Sequence, residues 1–309
     1  MQFVACRGMT ALTCNAAGNN YDYTDCEIEC DPTAGCKLPP PPTECDPLAP
    51  FDPPVPLTGF ATAGDEGTVQ LSQDELTIYM GASFGTSDSD LWGASRTSRD
   101  ATFSTPTRLV GVNSTSTDTN PTVTADGMTL IFASTRTGSM GFDLYVATRS
   151  STLANFGSPA LMANVNSSVD DYQPFLTADG AELWFASPRY PSQMADIWSA
   201  PRAGAGFGQP VRVPEVSSTA VDYWPVLSAD RLTIYVSSNA TGGATKGGFE
   251  IYRAHRANVT DRFPTPTLVA ELNTNVDDIA AWISPDNCRL YISHGPPAQL
   301  DIMVATRRP

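Results

Sequence analysis

The sequence predicts an all-β fold: a five-bladed β-propeller of four-stranded blades, preceded by a small cysteine-rich segment. Three observations carry this. A pattern of about fifty residues recurs five times; each copy holds short apolar runs separated by turns, without helical periodicity; and the two ends of the array are complementary fragments of one copy.

The repeat is anchored on an aspartate four residues ahead of an apolar-aromatic run. Asp74 precedes Ile78-Tyr79-Met80, Asp126 precedes Leu130-Ile131-Phe132, and Asp179 precedes Leu183-Trp184-Phe185. Asp230 precedes Ile234-Tyr235-Val236, and Asp286 precedes Leu290-Tyr291-Ile292. The steps between them are 52, 53, 51 and 56 residues. Two of the turns read Ala-Asp-Gly, a strand-joining signal.

A second run follows in each copy, an acid and an apolar pair: Asp90-Leu91-Trp92, Asp143-Leu144-Tyr145, Asp196-Ile197-Trp198, Glu250-Ile251-Tyr252 and Asp301-Ile302-Met303. Six residues after each acid stands an arginine (Arg96, Arg149, Arg202, Arg256, Arg307), expected to pair with acids on adjacent strands or to sit at exposed strand ends. Phe-x-x-Pro comes next, at Phe103/Pro106, Phe156/Pro159, Phe207/Pro210 and Phe263/Pro266. Its fifth copy, Phe51/Pro54, lies ahead of the first repeat. The array therefore opens with a spare outer strand and closes at Asp301–Arg307 without one. Pairing the two closes the ring and removes both sheet edges. The repeats run near 51–96, 103–149, 156–202, 207–256 and 263–307, so the propeller occupies 46–309 and the cysteine-rich segment 1–45.

Six of seven cysteines fall in that segment: Cys6, Cys14, Cys26, Cys30, Cys36 and Cys45. Dense cysteine with little apolar sequence reads as a disulfide framework, and the paired knuckles of a zinc site are missing. Seven is odd. Either one thiol is free, or Phe3-Val4-Ala5-Cys6 is the end of a lipoprotein signal and Cys6 is acylated. The latter leaves Cys14, Cys26, Cys30, Cys36, Cys45 and Cys288 for three bridges, with Cys288 reaching back to the N-terminal segment. Residues 37–57 are proline-rich and read as a stiff linker. Export to the periplasm, an outer-membrane lipoprotein or the extracellular space is expected, for a monomer without a transmembrane helix.

The formal net charge is −15, which repels phosphate backbones and speaks against nucleic acid. Only 17% of residues are charged; turn-forming residues fill much of the rest.

The motif Asp-x-x-Pro-x-x-(Ser/Thr)-x-Asp-Gly-x-x-Leu-x-Phe-Ala-Ser, followed by Asp-(Leu/Ile)-(Tyr/Trp), resembles the TolB-like propeller repeat, a relative of the WD-type repeats. The best copies are Asp118–Ser134 with Asp143-Leu144-Tyr145, and Asp171–Ser187 with Asp196-Ile197-Trp198. The resemblance covers 51–309; Val69 and Ala281 replace the proline in the first and fifth copies. It implies an exported or cell-envelope protein that binds other macromolecules. TolB itself resembles a six-bladed propeller with an added domain, so its own partners are not carried over to five repeats.

Eight residues before each turn aspartate stands a carboxylate: Glu66, Asp118, Asp171, Asp222 and Asp278. Asp65, Asp170 and Asp277 double three of them. The position corresponds to the start of the innermost strand, at one mouth of the central channel. Two readings stand. The acids cap local loops, as aspartate does at turns; or they form a ring that recruits a cation such as Ca²⁺ or a cationic group. Tyr172, Tyr223 and Trp224 follow directly. They suit a sugar or peptide side chain, or blade packing.

No catalytic residue is assigned. The two histidines, His255 and His294, match no metal or triad motif, and Gly242–Gly248 lacks the end of a P-loop. The expected function is a binding module presenting its channel mouth to a protein, peptide or glycan. The alternative is a five-bladed glycoside hydrolase with an axial carboxylate set, Glu66 being its proton donor.

Overall fold

The computed structural model describes residues 21–23, 26–31, 35–37, 44–57, 66–84, 88–139, 141–189, 194–240, 245–297 and 299–307. The chain divides into two compact units, Met1–Glu44 and Cys45–Arg308. In the first, Tyr21–Tyr23, Cys26–Asp31 and Gly35–Lys37 form a three-stranded antiparallel sheet. Cys6 and Cys14, and the side chains of Cys26, Cys30 and Cys36, lie outside the described residues, and so do the lipid and disulfide expectations that rest on them.

The second unit is a five-bladed propeller. The first four blades run, from the axis outward, Glu66–Leu71, Thr77–Ala82, Asp90–Ser95 and Thr107–Arg108; Asp118–Val123, Thr129–Ser134, Asp143–Thr148 and Ala160–Leu161; Tyr172–Leu176, Glu182–Ser187, Asp196–Ala203 and Val211–Arg212; Asp222–Leu227, Thr233–Ser238, Glu250–His255 and Thr267–Leu268. In blade five, Asp277–Ile283, Arg289–Gly295 and Asp301–Thr306 are completed by Val55–Pro56 from the other end of the chain. Met303 faces Pro56 and Val304 faces Val55, so the ring closes by the split predicted from the repeats. The innermost strands contact one another in sequence, the fifth touching the first.

The second strand of each blade is buried on both faces, as the apolar runs require: the neighbours Ile78 and Tyr79, Leu130 and Ile131, Leu183 and Trp184, Ile234 and Tyr235, and Leu290 and Tyr291 are all buried. A bulge interrupts every innermost strand. It explains how Pro121, Pro174 and Pro225 fit a strand paired on the inside: at a bulge no ladder donor is lost.

Each turn aspartate works alike. Asp126 Oδ1 accepts from Met128 N (2.9 Å) and Thr124 Oγ1 (2.5 Å), and the same pair of bonds recurs at Asp74, Asp179, Asp230 and Asp286. This is why serine or threonine precedes each aspartate by two.

The repeat arginines meet the expectation only in part: Arg202 is exposed at the end of its strand. Among the described residues none makes an ion pair; each guanidinium instead lies over the phenylalanine of the following Phe-x-x-Pro element. Arg256 lies 4.2 Å from the Phe263 ring centroid, Arg307 4.3 Å from Phe51, and Arg149 4.4 Å from Phe156. Nε of Arg96, Arg149, Arg256 and Arg307 donates to the carbonyl of the residue after the turn aspartate. A planar five-donor fork satisfies backbone acceptors and an aromatic face together, which a carboxylate partner would not require.

The proline-rich stretch is also not a free spacer along its whole length. Cys45 is disulfide-bonded to Cys288, Arg307 Nη1 donates to Pro47 O (2.7 Å), and Phe51 is buried.

Candidate functional site

The acids expected at the channel mouth stand where the sequence placed them along the chain, at or beside the starts of the innermost strands. The side chain of Glu66 lies outside the described residues. The other four are buried, and each closes the loop before it. Asp118 Oδ2 accepts from Ser114 N (2.6 Å) and Ser114 Oγ (2.8 Å). Asp171 does the same with Ser167 and Asp278 with Thr274, whereas at Asp222 the two Ser218 donors divide, N to Oδ2 and Oγ to Oδ1. The remaining oxygen meets a cation in two blades, Arg136 at 2.5 Å from Asp118 and Arg189 against Asp171, and the imidazole of His294 at 2.7 Å from Asp278.

Asp222 has no such partner. Burial holds its carboxyl above the usual carboxylate range, although Ser218 and Ser238 donate to it. A raised native pKa means that the folded state binds the proton more tightly than the unfolded chain. Stability is then lost as pH rises through that pKa. Asp222→Asn should therefore leave neutral-pH stability unchanged or raised, the difference from wild type vanishing toward pH 4. Asp171→Asn, which takes a partner from Arg189, should cost about 2 kcal/mol. Urea denaturation at two pH values reads both; equal losses would refute the distinction.

Above these acids lies an aromatic cluster. Tyr172 and Tyr223 stand T-shaped at 5.2 Å with hydroxyls 2.8 Å apart, and Tyr223 stacks on Phe249 at 5.3 Å. Trp224 stands edge-on to Tyr223 and to Phe249, each at 5.1 Å, and Phe142 reaches Tyr172 at 6.1 Å. All five rings are partly exposed. Burial, and then the bond to Tyr223, raise the Tyr172 phenol well above its ordinary value.

Phe142 and Phe249 were not singled out from the sequence. They are fixed by the doubled acids of the next blade: Asp170 Oδ1 accepts from Phe142 N (2.9 Å), and Asp277 Oδ1 from Phe249 N (2.8 Å). The glycine before each has positive φ, 134° at Gly141 and 80° at Gly248. A β-carbon there would lie 2.1 Å from the Asp170 carboxylate and 2.7 Å from that of Asp277. The recurrence of Gly-Phe-acid one repeat ahead of a doubled aspartate was the available signal.

Beneath the cluster the channel holds a small cavity of about 20 Å³, walled by the bulges, with room for about one water molecule. Its polar lining includes Thr68, Asn120, Gln173 and Trp224, with Pro121, Pro174 and Pro225 between. Asn120, Gln173 and Trp224 have φ of 50°, 55° and 50°, a conformation costly for side chains other than glycine. Asn120 Nδ2 donates to Thr68 Oγ1 (2.7 Å), whereas the buried Trp224 Nε1 has no partner. None of Asp118, Asp171, Asp222 and Asp278 lines this cavity. Among the described residues, no three His, Cys, Asp or Glu side chains converge as metal ligands.

No protein-family model matches the chain, and no curated protein matches it. Solved structures do. A thermostable family-43 glycoside hydrolase aligns at 11% identity over 82% of this chain and 91% of that one, with a TM-score of 0.56. The catalytic domain of the GH62 α-L-arabinofuranosidase of Coprinopsis cinerea aligns at 12% identity over 85% and 98%, TM-score 0.52. TolB from Acinetobacter baumannii aligns at 15% identity over 80% of this chain, TM-score 0.48; the chain spans only 56% of that TolB. At these identities the shared feature is the propeller fold.

Proposed function

We propose that the chain is an exported, non-catalytic binding module that takes a protein, peptide or glycan at the mouth formed by Tyr172, Tyr223, Trp224 and Phe249. The carrying observation is Trp224: a large side chain beside the axial cavity, whose buried indole N–H finds no partner among the described residues. The positive φ comes with the bulge and recurs at Asn120 and Gln173, but an unmet buried donor is a cost that the fold alone does not require. The surrounding rings supply apolar area with polar edges, suited to a sugar face or a peptide side chain.

The hydrolase alternative needs an acid and a base or nucleophile across one cavity. The cavity walls are amide, hydroxyl, indole, proline and aliphatic or phenyl side chains, while the four described aspartates brace their own loops. The Cys45–Cys288 bridge supports an oxidising compartment. The repeat's resemblance to TolB-like proteins supports the cell envelope, and Cys6 as a lipid anchor extends that proposal.

Trp224→Gly tests the reading, because glycine accepts φ 50° and only the indole is lost. Ligands found by screening the intact chain on glycan and peptide arrays should bind this variant at least tenfold more weakly, about 1.4 kcal/mol. Unchanged affinity by calorimetry would overturn the assignment.

A further inference from the structure

The repeat allows one blade to be compared with its neighbours at equivalent positions. In blade two, Arg136 occupies a built socket: Nη2 donates to Asp118 (2.5 Å) and to Val112 O (2.7 Å), Nε to Ser134 Oγ (2.9 Å), and the guanidinium lies 4.7 Å from the Tyr145 ring centroid. Blade three repeats this with Arg189 on Asp171, Val165 O, Ser187 and Trp198. In blade five His294 meets the aspartate, and in blade one Phe84 covers Trp92 at 4.8 Å.

Blade four keeps the socket's wall residues in sequence, and among the described residues no arginine occupies it. Counting from Asp222 as from Asp118 and Asp171, Val216 stands six residues before and Ser238 sixteen after; Tyr252 takes the ring position, two residues beyond the third-strand acid. The arginine position, eighteen after, is Ala240. Tyr252 is partly exposed, whereas Tyr145 and Trp198 beneath their arginines are buried. The chain supplies no substitute nearby: residues 241–245 contain no base, and Lys246 Nζ is committed to Asn273 O (2.5 Å).

We propose that Asp222, Ser238, Val216 O and Tyr252 receive an arginine side chain from a protein partner, its guanidinium taking the place that Arg136 and Arg189 fill in their own blades. The equivalence selects arginine over lysine, because the acid, hydroxyl, carbonyl and ring that these positions supply are held by a planar fork in blades two and three, and a point charge would not match them all. The approach is from solvent, since Arg136 and Arg189 remain 17% and 15% exposed while their aspartates are fully buried. The net charge of −15 draws such a partner in. Burial holds the Asp222 carboxyl above its usual range although Arg212 lies within range of its charge, because Arg212 is bonded to Asp196; a guanidinium in the socket would supply Asp222 with its own counter-charge.

This rests on the reading that the mouth receives a partner, and Asp222 adjoins Tyr223 and Trp224. The test uses the whole chain and three capped pentapeptides, Gly-Gly-X-Gly-Gly with X arginine, lysine or norleucine, by calorimetric titration. The arginine peptide should bind at least tenfold more tightly than the lysine one. Ala240→Arg, which fills the socket from within, should abolish its binding without lowering the melting temperature, and Asp222→Asn should weaken binding at least tenfold. Equal affinity for arginine and norleucine peptides, or unchanged binding to Ala240→Arg, would overturn the proposal. Array-found ligands that lose affinity in Trp224→Gly but not in Ala240→Arg would leave the mouth reading standing and sink the socket alone.

Discussion

Replacing Glu75 with alanine should lower propeller stability by about 3–5 kcal/mol, the largest loss expected from any single side chain here. Glu75 belongs to blade one and is fully buried against blade five. Its carboxylate takes a two-pronged bond from Arg289 (2.6 and 2.8 Å), another from the Tyr291 hydroxyl (2.9 Å), and an ion pair with Arg99 at 3.3 Å. Asp286 braces the far side of Arg289 at 2.8 Å. Removing the carboxylate leaves the Arg289 guanidinium, 24% exposed, with one acid where it had two, and strips the Tyr291 hydroxyl of its acceptor. Chemical denaturation reads the loss. A cost below about 1 kcal/mol would show that the seam between the first and last blades is held by apolar contact instead.

The second large effect is expected from the disulfide. Cys45 and Cys288 are 243 residues apart in sequence, so their bond closes almost the whole propeller into one loop. In the unfolded chain that constraint is worth about 2–5 kcal/mol, with long loops toward the upper end. The double variant Cys45→Ala with Cys288→Ala should lose that amount while keeping the five-bladed fold, because Met303–Pro56 pairing and Phe51 burial remain. Equilibrium denaturation, with circular dichroism of the native state, checks both parts; a change within 0.5 kcal/mol, the range of an ordinary surface substitution, would contradict it.

Both effects concern closure, and closure was legible before any coordinates. Phe51/Pro54 ahead of the first repeat and Asp301–Arg307 at the end could only complement one another if the blades formed a ring. The turn aspartates were legible for a similar reason: five equivalent residues require five equivalent environments. What the repeat hid were the departures from it. Glu75 occupies the position of Gly127 and Gly180, a slot that the sequence reads as a turn, yet its side chain reaches across a seam that exists only after closure. The pairing of the repeat arginines was misread because aromatic faces and backbone carbonyls compete well with carboxylates once all three are buried. Tyr79, Tyr235 and Tyr291 receive Arg149, Arg307 and Arg96 from the next blade, whereas Ile131 and Trp184 at the same position offer no hydroxyl.

At the mouth, the regular spacing of Asp118, Asp171, Asp222 and Asp278 located the strand starts but not their chemistry. A carboxylate eight residues ahead of a turn is equally compatible with a loop brace and a ligand site, and the loops took them. The informative signals were irregular ones: Trp224 where the other described blades carry smaller side chains, and Ala240 where two neighbours carry arginine.

The disulfide also gives the propeller a direction. Cys288 lies in the turn joining the first two strands of blade five, whereas Tyr223, Trp224 and Phe249 lie at the opposite ends of such strands. The chain enters the propeller at Cys45 on the side away from those rings, and Arg253 and Arg307 hold the carbonyls of Pro47 and Ala49 just beyond it. A pull applied to that end is borne by a covalent bond in the last blade and passes none of the rings at the mouth. A pull from that side would leave those rings unloaded.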